Sequence, residues 1–215
     1  MGIAALILAA GSSSRMGEGR HKLLLPLGER PVLVHVLTAA LTSQARPLVL
    51  VLGHRAEQVL AAIRTYTTSP DLLVVENAAY PEGMSSSLKA GLRALIDGEQ
   101  TEHTQSRPIS GVIILLADQP LLTASIIDTL IETKRSSSKR IIAPLYNGRR
   151  GNPVLFDASL FPELMQVTGD EGGRSVIERH KQEIATVELG DAAAHYDVDT
   201  WEAYQQVVER WQKDH

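Results

Sequence analysis

The chain has 215 residues, no cysteine, 44% hydrophobic and 4% aromatic residues, and a formal net charge of -4. That length suits one α/β domain or at most two small ones, and the lack of cysteine excludes disulfides, thiolate metal sites and a cysteine nucleophile. The net negative charge excludes a general basic field for nucleic acid, and a core built from Leu, Val, Ile and Ala fits parallel strands covered by helices.

Met1-Gly2-Ile3 carries no basic residue, so no signal segment is expected here. Its apolar run breaks at a Gly/Ser turn after about eight residues, at the short end for a signal segment. No stretch approaches the roughly 18 apolar residues of a membrane span. The expectation is a cytoplasmic protein with no membrane and no nucleic-acid partner.

Ile3–Leu8 reads as a buried strand that empties into Ala9-Ala10-Gly11-Ser12-Ser13-Ser14-Arg15-Met16-Gly17, with Lys22 just beyond. A Gly/Ser loop after a buried strand presents backbone N–H groups to phosphate, and Arg15 and Lys22 add two cations. The loop is neither a G-x-G-x-x-G nor a G-x-x-x-x-G-K-[ST] fingerprint. By itself it could also be an ordinary Ser-rich connection. Apolar residues at helical spacing follow over 31–41, then a buried strand at 47–52, a helix at 57–66 and a strand at 72–77. This βα alternation predicts a doubly wound, mostly parallel sheet.

The stretch 83–92 is a turn followed by a helix whose start holds Ser85, Ser86 and Ser87, one of them expected as the N-cap. Residues 99–107 read as a surface loop. The most apolar strand, 111–117, runs into Asp118-Gln119-Pro120. A carboxylate at that end of a central parallel strand sits where open α/β sheets bind ligands, although it could instead cap the turn. A helix follows over 123–133, capped by Thr123. Ile141–Leu145 and Asn147-Gly148 then signal a hairpin and an antiparallel extension in the second half. Thr168–Arg174 is a second glycine-rich loop before a short helix at 175–180. Ile184–Leu189 suits an edge strand. Asp197 and Asp199 precede a closing helix at 201–212, with Trp201, Tyr204, Val207, Val208 and Trp211 on one face.

Four features share one explanation: the phosphate-type loop with its cations, Asp118, the Asp197–Asp199 pair, and the glycine-bearing helix start at 83–87. A nucleoside triphosphate needs N–H groups and cations for its phosphates, and its magnesium needs one or two carboxylates. No nucleophile is evident. There is no G-x-S-x-G elbow and no metal-ligand histidine spacing. His35 reads as packing, and His54 and His180 read as surface residues.

The run LAAGSSSRMG with Lys22 resembles the signature of the molybdopterin-type nucleotidyltransferases. LLADQP, GMSSSLKAGL, RRGNPVLF, GDEGGR and YDVDT are similar to the remaining blocks of one subgroup, the molybdenum cofactor cytidylyltransferases. The likeness runs from residue 3 to about 205. It implies Mg²⁺-dependent transfer of CMP from CTP to the terminal phosphate of molybdopterin or the molybdenum cofactor, with release of pyrophosphate. It further implies one nucleotidyltransferase domain over 1–215, with a nucleotide half to about 120 and an acceptor half beyond.

Under this resemblance Leu8, Ala9, Ala10, Gly11, Ser12, Ser13 and Ser14 cradle the triphosphate. Arg15 holds its outer phosphates, and Lys22 stabilises charge at the α-phosphate. Asp118 binds Mg²⁺, with Asp197 or Asp199 completing the site or holding a second ion. Gly83, Ser85, Ser86 and Ser87 line the nucleoside pocket. Asn152, Gly169, Asp170, Gly172 and Arg174 face the acceptor. Guanylyl-transferring relatives read LAGG at the first loop, and the methyl of Ala10 favours cytosine. Two blocks depart from the expected pattern: G-N-P replaces G-H-P at 151–153, and Gly173 replaces alanine. Both departures bear on acceptor identity. Transient contact with a molybdenum hydroxylase or its maturation factor also fits. The other readings are a transferase using GTP with molybdopterin, one using a sugar or polyol phosphate, and a non-catalytic cofactor-delivery protein.

Overall fold

The computed structural model describes residues 2–17, 20–99, 108–190 and 196–214. In chain order the elements are β1 (Gly2–Ala9), β2 (Pro26–Leu27), β3 (Arg30–Pro31), α1 (Val32–Thr42), β4 (Leu48–Leu52), α2 (Ala56–Ile63), β5 (Leu72–Glu76), α3 (Met84–Glu99), β6 (Ile109–Leu116), α4 (Ala124–Ser136), β7 (Ile141–Tyr146), β8 (Arg149–Arg150), β9 (Val154–Asp157), α5 (Phe161–Leu164), α6 (Arg174–Arg179), β10 (Ile184–Glu188) and α7 (Trp201–Asp214).

The main sheet has the order β10-β7-β9-β6-β1-β4-β5, with β8 paired to β7. β1 pairs in parallel with both β4 and β6, β4 with β5, and β7 with β10. β9 runs antiparallel between β6 and β7. The architecture is thus α/β, mostly parallel, with the antiparallel return in the second half. β10 lies at one edge, as its weak alternation suggests. The described part of the chain has no helix long and apolar enough to cross a membrane.

Alternation along β1 explains the layers. Ile3, Ala5, Ile7 and Ala9 face one side, where α1, α2 and α4 pack through residues such as Leu37, Val59 and Leu130. Ala4, Leu6 and Leu8 face the other, covered by α3, α5 and α6 through Leu88, Leu92, Leu164 and Val176. With both faces covered, the central strands need apolar side chains on each, which accounts for their unbroken hydrophobic runs. A smaller cluster ties α7 to the first loop, joining Met16, Leu27, Val32, Val198, Tyr204 and Val207.

Several local expectations change. α2 ends at Ile63 rather than Tyr66. Thr123 does cap α4, accepting from the Ile126 N–H at 3.4 Å. The Asn147-Gly148 turn does join two antiparallel strands. On α7, Trp201 meets the buried Tyr204 ring, centres 5.1 Å apart, on the expected face, and its 37% exposed outer side lies under the Arg20 guanidinium, 4.4 Å from the ring centre. His35 packs as expected, edge-on to Trp211 and bonded to the Leu27 carbonyl at 2.9 Å. His180 is not a free surface group: it lies 2.9 Å from both Glu163 and Glu183. The surface loop expected over 99–107 falls, beyond Glu99, outside the described residues.

Gly91 shows how closely α3 approaches the sheet. A Cβ there would lie 2.1 Å from Leu6 Cδ1 and 3.0 Å from Val51 Cγ2, and Leu6 is fully buried. Gly91→Val should therefore overpack this contact and lower stability by about 2 kcal/mol, read as a reduced urea midpoint with an unchanged slope.

Candidate active site

β1 is the switch point of the sheet: β4 and β5 lie on one side of it and β6 on the other. Loops leaving the C-terminal ends of β1 and β6 therefore flank one crevice, the position where open α/β sheets bind ligands. The two ends are level. Leu8 pairs with Leu116, and the Ala117 N–H donates to the Leu8 carbonyl at 3.2 Å.

The first loop leaves β1 with Ser13 in the left-handed region (φ 56°), followed by a 3-10 turn over Ser14–Met16. Ser13 Oγ accepts from the Lys22 N–H at 3.2 Å, so the loop folds back and carries Lys22 across the crevice. Lys22 Nζ lies 2.5 Å from Asp118 Oδ2 and 2.7 Å from Asp199 Oδ1. Arg15 reaches the other Asp199 oxygen at 3.2 Å. The Lys22 and Asp118 side chains are 13% and 16% exposed, whereas Arg15 is 72% exposed. Burial works to lower the Lys22 pKa, but the neighbouring Asp118 charge and the bonds to both carboxylates outweigh it and hold the ammonium above its usual value of 10.5. Burial works to raise Asp199, yet its bond to Lys22 and the Lys22 and Arg15 charges bring its carboxyl below the usual 3.8.

Asp197 and Asp199 part company. The chain turns tightly between them, with the Asp199 N–H donating to the Asp197 carbonyl at 3.1 Å. The intervening Val198 is fully buried and donates to the Asp118 carbonyl at 2.9 Å. Asp199 faces Lys22. Asp197 instead accepts from Gln119 Nε2 at 2.6 Å and lines a separate cavity.

That cavity, of about 480 Å³, has an apolar floor that includes Leu8, Ile114, Leu116 and Phe156. Its rim includes four of the five sequence-picked acceptor residues, Asn152, Asp170, Gly172 and Arg174, together with Arg150 and Met84. Gly169 acts through its carbonyl, which accepts the Ser85 N–H at 3.0 Å. Tyr146, pushed up to about 12 by burial, donates to the Asn152 carbonyl at 2.9 Å and holds that corner.

The serines at the start of α3 do not supply its cap. α3 begins at Met84, whose N–H is taken by Asp170 Oδ1 at 3.0 Å, so the cap comes from the distant loop. Gly83 (φ +103°) makes this approach feasible, since a Cβ there would lie 2.7 Å from the Gly169 backbone. Ser86 bonds the Gly83 carbonyl at 2.8 Å, and Asn77 Nδ2 donates to Ser86 and Ser87 at 2.9 and 3.0 Å. Ser85 and Ser87 are buried. Ala10 lies against the end of β4: a Cβ on Gly53 would be 2.8 Å from its methyl, and its carbonyl accepts the His54 N–H at 3.3 Å. His54 itself stacks on buried His21, ring centres 5.8 Å apart, and is not the surface residue expected. Asn77, Gln119, Tyr146 and Arg150 escaped the sequence reading. An Asn at a strand end and the residue beside Asp118 were the signals available.

Residues 5–184 match the MobA-like NTP transferase domain. The chain belongs to that family. It is therefore a nucleotidyltransferase of the MobA-like group, related to the molybdenum cofactor nucleotide transferases, as the resemblance implied. It is 29% identical over 208 residues to the nicotine blue oxidoreductase of Paenarthrobacter nicotinovorans, covering 93% of each chain. It is 32% identical over 178 residues to the bifunctional protein GlmU of Clavibacter sepedonicus, covering 79% of this chain and 33% of that one, so it spans about a third of that relative. Among solved structures, Rv0371c of Mycobacterium tuberculosis H37Rv is 27% identical with a TM-score of 0.78, covering 97% of this chain and 99% of that one. The same protein in complex with manganese gives 26% and 0.72 over the same shares.

The ion cluster has a pH signature. Asp199, with its lowered pKa, stabilises the fold above its unfolded value of 3.8, and that contribution fades as pH falls through the folded value. Lys22, with its raised pKa, contributes below 10.5 and loses that contribution as pH rises through its folded value. Asp199→Asn should thus be less stable than the parent at pH 7, with the gap narrowing as the solution is taken below 3.8. Urea unfolding of both chains across that range checks it, and a constant gap would contradict the assigned ion pairs.

Proposed function

We propose that this protein transfers CMP from CTP to the terminal phosphate of molybdopterin or its molybdenum-loaded form. A phosphate oxygen of the acceptor attacks the α-phosphorus of CTP. The bond from that phosphorus to the bridging oxygen breaks, and pyrophosphate leaves with the electron pair. The observation that carries the reading is the convergence of Lys22, Asp118, Asp199 and Arg15 at the switch point, beside the Gly/Ser loop.

The residues present fit a divalent cation. The Lys22 ammonium, a positive charge, is bonded by Asp118 and Asp199 together, and paired carboxylate oxygens suit a hard ion such as Mg²⁺. Asp118 and Asp199 would hold the ion, while Asp197, turned to Gln119 and the cavity, would serve the acceptor side. Bound there, Mg²⁺ would offset phosphate charge. Arg15 binds the outer phosphates and Lys22 stabilises charge developing on the α-phosphoryl group. The protein's part is to position groups and stabilise charge.

The apolar cavity floor and its Asn152, Arg150 and Arg174 rim suit a flat heterocyclic acceptor that ends in a phosphate. The methyl of Ala10, close to Gly53 at the end of β4, narrows the base pocket and favours cytosine over a purine. In this reading 1–120 is the nucleotide half and 121–215 the acceptor half of one domain. The product passes in the cytoplasm to a molybdenum hydroxylase or its maturation factor.

Pyrophosphate release with molybdopterin should be at least about tenfold faster with CTP than with GTP, ATP or UTP, a difference worth roughly 1.4 kcal/mol. A GTP preference would sink the base assignment. Absence of pyrophosphate would sink the transferase reading, which matters because one relative is named for oxidoreduction. Asp118→Ala should lower kcat by about a thousandfold or more. Lys22→Ala should lower kcat by about a hundredfold with a smaller change in KM for CTP. Steady-state kinetics on both variants, with circular dichroism to check folding, tests these roles.

A further inference from the structure

We infer that Lys22 also selects the form in which the metal arrives: it bars a free divalent cation from the Asp118–Asp199 pair and admits one only together with a nucleotide's phosphates. This rests on the nucleotide chemistry proposed above for the same site.

The Lys22 ammonium already occupies the space between the two carboxylates, at 2.5 and 2.7 Å. Asp199's second oxygen is taken by Arg15 at 3.2 Å. Two cations thus face two carboxylates, and the cluster is formally neutral. A divalent ion entering alone would add two positive charges to a neutral group and would have to expel the ammonium. Lys22 has little room to leave unpaired, because its side chain is only 13% exposed. Among the described residues its ion pairs are with Asp118 and Asp199. Freed from both, it would be a largely buried charge without a counter-ion, a state that is strongly disfavoured.

A triphosphate changes that balance. Its oxygens give Lys22 and Arg15 new anionic partners within the same crevice, and the two carboxylates become available to the ion. Metal and nucleotide then raise each other's affinity by one common factor, as linkage requires. Arg15, at 72% exposure, can move to the phosphates at little cost, while Lys22 is the group that must be exchanged. Lys22 thereby favours the metal–nucleotide complex over the free ion as the species that enters.

Binding of Mn²⁺ to the full-length chain, followed by loss of the free-ion EPR signal, tests this without turnover. Without nucleotide, Lys22→Met should bind Mn²⁺ about tenfold or more tightly than the parent, and Lys22→Arg should behave like the parent. In Lys22→Met the gain should vanish when Asp118→Asn is added, which ties it to this carboxylate pair. Measured against CTP and Mn²⁺ without protein, CTP should tighten Mn²⁺ binding to the protein by about tenfold in the parent and far less in Lys22→Met. Lys22→Gln serves as the second neutral variant if Lys22→Met does not fold by circular dichroism. Equal Mn²⁺ affinity in the parent and the neutral variants would overturn the inference, as would a parent that binds Mn²⁺ equally well with and without nucleotide. Failure of the cytidylyl-transfer reading would appear instead as no pyrophosphate release, and the nucleotide-free comparison stands apart from that result.

Discussion

The parallel pairing of β1 with β4 on one side and β6 on the other is the constraint on which the site depends. Its register places Leu8 opposite both Val51 and Leu116, so the chain leaves all three strands at one level. The first loop, the His54 turn and the Asp118 loop then emerge around a single crevice. Hydrophobic burial on both faces of these strands maintains that register, because a one-residue slip would exchange the side chains facing α1 and α4 for those facing α3. A core interaction thus sets the distance between charged groups at the sheet's edge of the crevice.

Electrostatics finishes what the register begins. Lys22, Asp118 and Asp199 come from three separate stretches of chain, and each would be unfavourable if buried alone. Brought together they satisfy one another, and Arg15 closes the group from the solvent side. The buried backbone bond from Val198 to the Asp118 carbonyl and the Gln119–Asp197 bond cross-link the same two loops a second and third time. One pair of loops therefore carries both the ion cluster and one wall of the neighbouring cavity. The Asp170 cap on α3 links the far wall to the serine-rich helix start in the same way.

Much of this was legible in the chain itself. The alternating βα pattern and the unbroken apolar strands located β1, β4, β6 and β7. A carboxylate after the most apolar strand and cations after a Gly/Ser turn pointed to Asp118, Arg15 and Lys22. The hairpin at Asn147-Gly148 announced the antiparallel return. These signals are local, since strand burial and turn chemistry act over a few residues. The residues whose roles or surroundings differ from expectation lack such a signal. Asp197 and Asp199 are spaced like neighbours on one face, yet the tight turn around buried Val198 sends them apart. The serines at 85–87 look like caps, but the helix starts one residue before them and takes Asp170 instead. His54 and His180 look like surface groups, and both have close partners contributed by distant parts of the chain.

By itself, then, the sequence determined the α/β class, the strand positions, the motif set of a MobA-like transferase and the candidate charges, because each follows from periodicity, turn residues or residue type at short range. Only the tertiary structure decided which carboxylate shares Lys22, which one faces the neighbouring cavity, and that the ammonium stands between Asp118 and Asp199. Those outcomes depend on side-chain direction in irregular loops, which no period governs, and on close approach of residues up to 184 positions apart.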